Sequence, residues 1–288
     1  MTRWVSVLSI STPKDWNTAL RYCDSVRELN CLDGCFETVE SRTVLARFRR
    51  LYTLSIDMHG DVRRNPNTSR FAYYTLVTAL PSSILRLHVK HAHSPDIKIL
   101  DLVKQHAPNL EELWLGRCTM FNRSPACEFW GAFPLEHDSY ISLEGTNDYA
   151  YSLAQELAPL KRLTALYMGI YLAPSNIVLA HRVFHTRQSV APQEINWQHA
   201  VAIQQGIQGV TEEVAVSTDI AGLVALLHAP LEKSFTLDSC PFCREEFLQD
   251  RIHAEKRANE ILRGKTNLKT ISWMDWFSHS HLGLSEER

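Results

Sequence analysis

The chain has 288 residues, of which 45% are hydrophobic and 22% are charged, as in ordinary folded proteins. Its formal net charge of −2 gives no basic field for phosphate, so neither nucleic acid nor an acidic membrane surface is expected as a partner. A run of 18 apolar residues, which would predict a transmembrane helix, does not occur. Seven unevenly spaced cysteines favour reduced thiols, and therefore a cytoplasmic or nuclear protein.

The first part of the chain alternates short apolar segments with segments of helical periodicity. Thr12 and Pro13 are typical of a helix start, because threonine caps helix N-termini and proline fits the first helical position. Asn65-Pro66 indicates a loop, which we place at 61–69. Strands are predicted at 3–9, 26–32, 52–58, 84–89 and 110–115, and helices at 12–25, 37–50, 71–80 and 95–106.

The second part is less regular. Residues 119–147 contain Pro125, Pro134 and several aromatics, and they are expected to form a degenerate repeat or an insertion. A second polar insertion is expected at 172–198, and residues 278–288 are expected to be a flexible tail. Further helices are predicted at 148–158, 197–208, 219–229 and 244–263, and strands at 163–169, 233–238 and 268–273.

One apolar frame, L-x-x-L-x-L, recurs along the chain. Its clearest copy is Leu110, Leu113 and Leu115 in NLEELWLGRC, and we expect these three leucines to be almost fully buried. The first apolar residues of six copies stand at positions 26, 51, 84, 110, 163 and 268. Several of these intervals are close to one or more leucine-rich repeats of roughly 20–29 residues.

This frame predicts one irregular right-handed α/β solenoid over residues 1–277. A parallel sheet would line the concave side, and helices would lie outside. The alternative is an irregular α/β domain whose strands merely share apolar alternation.

The chain also resembles a family. The stretches TPKDWNTALRYCDSVREL, NLEELWLGRC, YSLAQELAPLKRLTALYMGIYLA and AEKRANEILRGKTNLKTISWMDWF resemble the leucine-rich part of fungal F-box/leucine-rich-repeat-like proteins. The resemblance implies a substrate-recognition repeat region of a ubiquitin-ligase receptor. The family's F-box, which docks a Skp-type adaptor, is not found in this sequence. An adaptor is therefore expected as a partner only if an F-box is encoded upstream.

Two motifs have residue types and spacing that could form a chemical site. Cys240-Pro241-Phe242-Cys243 has thioredoxin-like spacing and is half of a zinc site, but a tight turn with two buried thiols is favoured. The segment HVKHAH (His88, His91 and His93) and a second group of histidines have spacing compatible with a metal, but exposed loop histidines are favoured. The second group comprises His181, His185 and His199. No catalytic residue, cofactor or metal is expected.

The expected function is therefore a non-enzymatic protein interaction. Side chains alternate along a strand, so the residues between the buried positions of each frame should face the concave side. The central residues of the frames form the row Asn30, Ser55, His88, Trp114, Tyr167 and Ser272. We expect His88, Trp114 and Tyr167 to centre a protein-binding patch flanked by Arg86 and Glu112. The alternative is a small metal- or thiol-dependent enzyme that uses Cys240 and Cys243.

Overall fold

The structure is a computed structural model that describes residues 5–118, 127–131, 145–170, 172 and 248–274. Several predictions lie outside these residues: the strand at 233–238, the helices at 197–208 and 219–229, the motif Cys240–Cys243, the second histidine group and the tail at 278–288. Most of the two expected insertions lies outside them as well. The account below concerns the described residues alone.

The described residues form nine strands. They are β1 (Val7–Ile10), β2 (Glu28–Cys31), β3 (Thr53–Asp57), β4 (Val62–Arg64), β5 (Phe71–Tyr73), β6 (Arg86–Ala92), β7 (Glu112–Arg117), β8 (Ala165–Met168) and β9 (Thr270–Trp273). Seven of them make one sheet in the order β1-β2-β3-β6-β7-β8-β9, and every neighbouring pair is parallel. Strands β4 and β5 pair with each other as an antiparallel hairpin. The chain is therefore an α/β protein with a mostly parallel sheet.

Helices connect the strands and cover one face of the sheet. The α-helices are α1 (Asp15–Ala19), α2 (Asp96–His106), α3 (Glu128–Gly131), α4 (Thr146–Leu157) and α5 (Leu248–Lys265). Short 3₁₀ helices span Leu20–Tyr22, Glu40–Arg47 and His59–Asp61. Helix α4 packs against both α2 and α5. Among the helices that the structure describes, none is long and apolar enough to cross a membrane.

The recurring frame explains the core. The first apolar residue of each copy lies two residues before its strand, and the other two lie within the strand on the buried face. Leu110 and Leu113 are 0% exposed and Leu115 is 1% exposed, which confirms their expected burial. The same core contains the inward faces of the long helices, including Leu100, Leu153 and Leu262. The sheet and helices thus enclose one continuous hydrophobic layer.

Two predicted helices are wrong. Residues 37–50 contain a 3₁₀ helix, Glu40–Arg47, because β-branched residues such as Val39 and Val44 are poor α-helix formers. Residues 71–80 begin with strand β5, whose Phe71 pairs with Arg64 of β4. Aromatic and β-branched side chains are favourable in a strand, and the apolar spacing in 71–80 instead buries Leu76, Val77 and Leu80 from an irregular segment. The residues 62–64, expected to be loop, supply the other strand of the hairpin.

Candidate functional site

One row of side chains crosses the sheet on the face opposite the buried leucines. The hydrogen-bonding register aligns, from β1 to β9, the central row Ser9, Asn30, Ser55, His88, Trp114, Tyr167 and Ser272. Adjacent parallel strands lie ≈ 4.7–4.9 Å apart, so neighbours in this row are in side-chain contact distance. The predicted alignment from Asn30 to Ser272 is therefore the observed one, and Ser9 extends it by one strand.

The middle of this row is a run of three ring side chains. The imidazole of His88 meets the Trp114 ring edge-to-face at 87°, with centroids 5.3 Å apart. Trp114 and Tyr167 are closer still, with centroids 4.7 Å apart and ring planes tilted by 41°. All three side chains are partly exposed. Mutual packing holds the rings in place and leaves part of each surface accessible.

Charged residues flank these rings on the next row of the same face. The Glu112 carboxylate lies 2.6 Å from Nε2 of His88, and both side chains are only about a quarter exposed. This contact fixes the imidazole between Trp114 and Glu112. Arg86 stands opposite Glu112 in the β6–β7 register and is exposed. The predicted site residues are thus brought together on two adjacent rows.

A second group of polar residues lies where the strands end. Strand β6 contains a bulge between Val89 and Ala92, and His91 within it has a φ of 52°. A bulge re-aims the side chains around it. His91 Nδ1 consequently lies 2.9 Å from Oδ2 of Asp57 at the end of β3. The side chain of His93, just beyond the strand, contacts Asp61 and not Asp57.

Asp61 is the hub of this edge. Its carboxylate, which is fully buried, accepts hydrogen bonds from the backbone N–H groups of His93 and Ser94. It also accepts the Ser94 hydroxyl and lies 3.0 Å from Nδ1 of His93. A carboxylate at Nδ1 favours the neutral tautomer in which Nδ1 carries the proton and Nε2 keeps the lone pair.

Two cysteines and a second histidine meet His93 at this point. Nε2 of His93 lies 3.4 Å from Sγ of Cys127, which lies 3.6 Å from Sγ of Cys118. The His59 ring lies 5.2 Å from the His93 ring, and its Nδ1 is 3.1 Å from Oδ2 of Asp33. One ligand atom from each of the four residues falls within 4.8 Å of the other three. We call His59, His93, Cys118 and Cys127 the His/Cys cluster.

The groups around His93 shift its pKa. Burial lowers the pKa of His93, but the hydrogen bonds to Asp61 and Cys127 and their negative charges outweigh it and raise the pKa overall. The Asp61 carboxylate behind the ring therefore stabilises its protonated, positively charged form. A carboxylate that accepts the Nδ1 proton in this way raises the basicity of metal-binding histidines.

The structure corrects the interpretation of HVKHAH as exposed loop histidines. His88 lies within β6, and His93 is buried with 0% of its side chain exposed. Its carboxylate and thiol neighbours come from residues 61, 118 and 127, so proximity in sequence does not reveal them. No local pattern in the sequence groups His59, Asp61, Cys118 and Cys127 as one site. The only signal in the sequence was that His59, His93 and Cys118 each closely follow an apolar frame.

Both regions have definite chemical capabilities. The central row offers aromatic surface with a cation and an anion beside it, which suits another protein. The His/Cys cluster offers soft and borderline ligands that suit a transition metal. Comparisons of the chain with models of known protein families, with curated proteins and with solved structures found no match.

Proposed function

We propose that the chain is a leucine-rich-repeat-like solenoid that acts as a non-enzymatic protein-interaction module. Its binding site is the central row, with His88, Trp114 and Tyr167 at the centre and Arg86 and Glu112 beside them. The partner is another protein. The resemblance to F-box receptors suggests a substrate of a ubiquitin ligase in the cytoplasm or nucleus, with a Skp-type adaptor involved only through an F-box.

The order of the strands supports the solenoid. All seven strands of the main sheet stand in chain order and run parallel. Six of them, all but β1, are preceded by a buried frame residue two positions earlier, at Val26, Leu51 and Leu110 for example. Repeated units that each bury one strand against their neighbours are the defining property of such arrays.

The observation that carries the binding proposal is the contact series His88–Trp114–Tyr167. Three rings from three successive strands present a continuous, partly exposed surface. Tryptophan and tyrosine dominate the energetics of protein interfaces, because rigid rings bury much area at small entropic cost. Arg86 and Glu112 then supply charges of opposite sign at the rim, which favour specificity.

The partner can be sought by proximity labelling in the source cells, followed by affinity measurements with the full chain. The double variant Trp114→Ala/Tyr167→Ala should weaken the leading interaction by more than about 30-fold, the equivalent of about 2 kcal/mol at an interface hot spot. The control variant Tyr74→Ala/Tyr151→Ala removes two exposed tyrosines outside the central row and should leave the affinity unchanged. Circular dichroism should be the same for all three proteins. Retained binding in the first variant would place the docking surface elsewhere.

A further inference from the structure

We propose that His59, His93, Cys118 and Cys127 bind a structural zinc ion. This site is separate from the central row and independent of the protein-interaction proposal. It departs from the sequence-based expectation that the chain holds no metal.

The separations of the ligand atoms fit a tetrahedral metal. Zinc bonds of about 2.3 Å to sulfur and about 2.0–2.1 Å to nitrogen set the ligand atoms of a tetrahedron about 3.8 Å apart for S···S and about 3.5 Å apart for N···S. The corresponding distances here are 3.6 Å between the Sγ atoms of Cys118 and Cys127 and 3.4 Å between Nε2 of His93 and Sγ of Cys127. His59 completes a set of four atoms that all lie within 4.8 Å of one another.

The outer contacts are those that a zinc-bound histidine requires. His93 places Nδ1 against Asp61, and His59 places Nδ1 against Asp33. Each carboxylate fixes the tautomer in which Nδ1 carries the proton, so Nε2 supplies the lone pair to the metal. Each of the two histidines has its own carboxylate at Nδ1, and both converge on the same two thiols. One bound metal ion explains this arrangement better than four separate structural roles do.

The donor set selects the metal and its role. Two thiolates and two imidazoles in a tetrahedral arrangement favour zinc over the hard cations magnesium and calcium, which take oxygen ligands. Binding displaces one proton from each thiol to solvent, and the two thiolates neutralise the ion's charge. Four protein ligands leave no open coordination position for a substrate, so the role is structural.

Such an ion would fasten α3 to the edge of the sheet. Cys118 directly follows β7 and Cys127 directly precedes α3. Phe129 of α3 already packs on the His93 ring at 4.7 Å and on Phe71 of the hairpin at 5.3 Å. The zinc would thus join β3, β6, β7 and α3 through one centre.

The first test is elemental analysis of the full chain carrying Cys240→Ser/Cys243→Ser, which prevents that motif from contributing metal. About one zinc per chain is expected, as for a site with four protein ligands. Cys127→Ser should lower the zinc affinity by more than the roughly 10- to 100-fold that loss of an outer-shell partner costs. Cys23→Ser, a partly buried cysteine elsewhere, is the matched control and should keep the metal. Zinc content that does not respond to Cys127→Ser would overturn the proposal.

A second test needs no ligand variant and so does not depend on how the variants fold. The same chain refilled with Co²⁺ should show the visible absorption of tetrahedral cobalt and thiolate-to-cobalt charge transfer. A chelator should lower its melting temperature and increase alkylation of Cys127, since metal binding contributes to folding and masks the thiolate. A cobalt spectrum without the charge-transfer band would refute the site. So would a Cys118–Cys127 disulfide found by mass mapping, or alkylation of Cys127 at the same rate with and without chelator, which would indicate a reactive Cys–His pair instead.

Discussion

The carboxylate of Asp61 contacts His93 at two points: it accepts the backbone N–H at 3.1 Å, and it lies 3.0 Å from the imidazole Nδ1. The two residues are 32 positions apart: Asp61 ends the short 3₁₀ helix after β3, and His93 follows β6. A fully buried carboxylate is costly unless its oxygens are satisfied, and here Ser94 supplies two further donors. The pair therefore ties the loop after β3 to the loop after β6, whether or not a metal is bound.

Asp61→Asn should destabilise the metal-free protein by about 2–5 kcal/mol, because the amide nitrogen would face N–H donors that the carboxylate now accepts. Chemical denaturation in chelator measures this loss. Asp57→Asn is the matched control, since Asp57 also faces one histidine, His91, from a less buried position. A loss at Asp61 no greater than the loss at Asp57 would contradict the role of Asp61 as the hub of this edge.

Leu113→Ala should lower the free energy of unfolding by about 2–5 kcal/mol, because it leaves a cavity in the layer between the sheet and the helices. Leu113 is 0% exposed, whereas Leu32 is 40% exposed. Leu32→Ala removes the same atoms from the surface and should change stability by only about 0.5 kcal/mol. Equal effects of the two substitutions in urea denaturation would show that the leucine frame does not form the main core.

The sequence predicted the sheet well because the frame is a local signal with a physical basis. Alternating apolar residues specify which face of a strand is buried. The central residue of each copy of the frame therefore falls in one row across the sheet, from Asn30 to Ser272. The exact strand ends were less well predicted. The first frame residue, such as Leu110, lies before its strand because it packs beneath the sheet without joining the hydrogen-bond ladder.

The His/Cys cluster could not be read in the same way. Cys127 lies 34 residues after His93 and 9 after Cys118, so the four residues of the cluster do not form a compact ligand motif such as C-x-x-C. The orientation of His93 depends on the bulge around His91, whose positive φ no local pattern predicts. Sites assembled from the ends of several strands need the strand order first and become visible only when the loops are placed.

Lys104 links two helices through an exposed charge cluster whose effect should depend on salt. Its ammonium contacts Asp101 at 2.8 Å on its own helix, α2, and Glu156 on α4. The hydrogen bonds to Asp101 and Glu156 raise the pKa of Lys104 above its ordinary value of 10.5. Lys104→Met should cost less than about 1 kcal/mol at neutral pH, because the partner carboxylates of Asp101 and Glu156 are exposed and water screens the ion pairs.

The sign of the pH effect follows from the raised pKa of Lys104. The contribution is fully present below the ordinary value of 10.5 and is lost as the pH rises through the higher pKa of the folded state. The difference between wild type and Lys104→Met should therefore be constant near neutrality and shrink in strong alkali and in about 1 M salt. A double-mutant cycle with Glu156→Gln isolates the helix-to-helix part. A difference that persists unchanged in high salt would indicate lost packing of the lysine stem instead of lost charge.

Two glycines should respond in opposite directions to the same substitution. A Cβ at Gly169, just after β8, would lie 2.6 Å from the Arg117 nitrogen and 2.7 Å from the Leu115 oxygen. Those are backbone atoms, and the Leu115 oxygen accepts the Gly169 N–H, so the strands must separate to admit a methyl group. Gly169→Ala should cost about 1–3 kcal/mol, as overpacking does.

Gly264 lies in the last turn of α5, and a Cβ there would meet nothing within 4 Å. Gly264→Ala should stabilise the protein by about 0.5 kcal/mol, because alanine restricts the unfolded chain and favours the helix. Thermal and urea unfolding of both variants measures the two changes in stability. Stabilisation by Gly169→Ala would mean that β7 and β8 are not held as closely as the 2.7 Å hydrogen bond between Gly169 and Leu115 requires. Destabilisation by Gly264→Ala would instead mean that a segment of the chain packs against the end of α5 at that position.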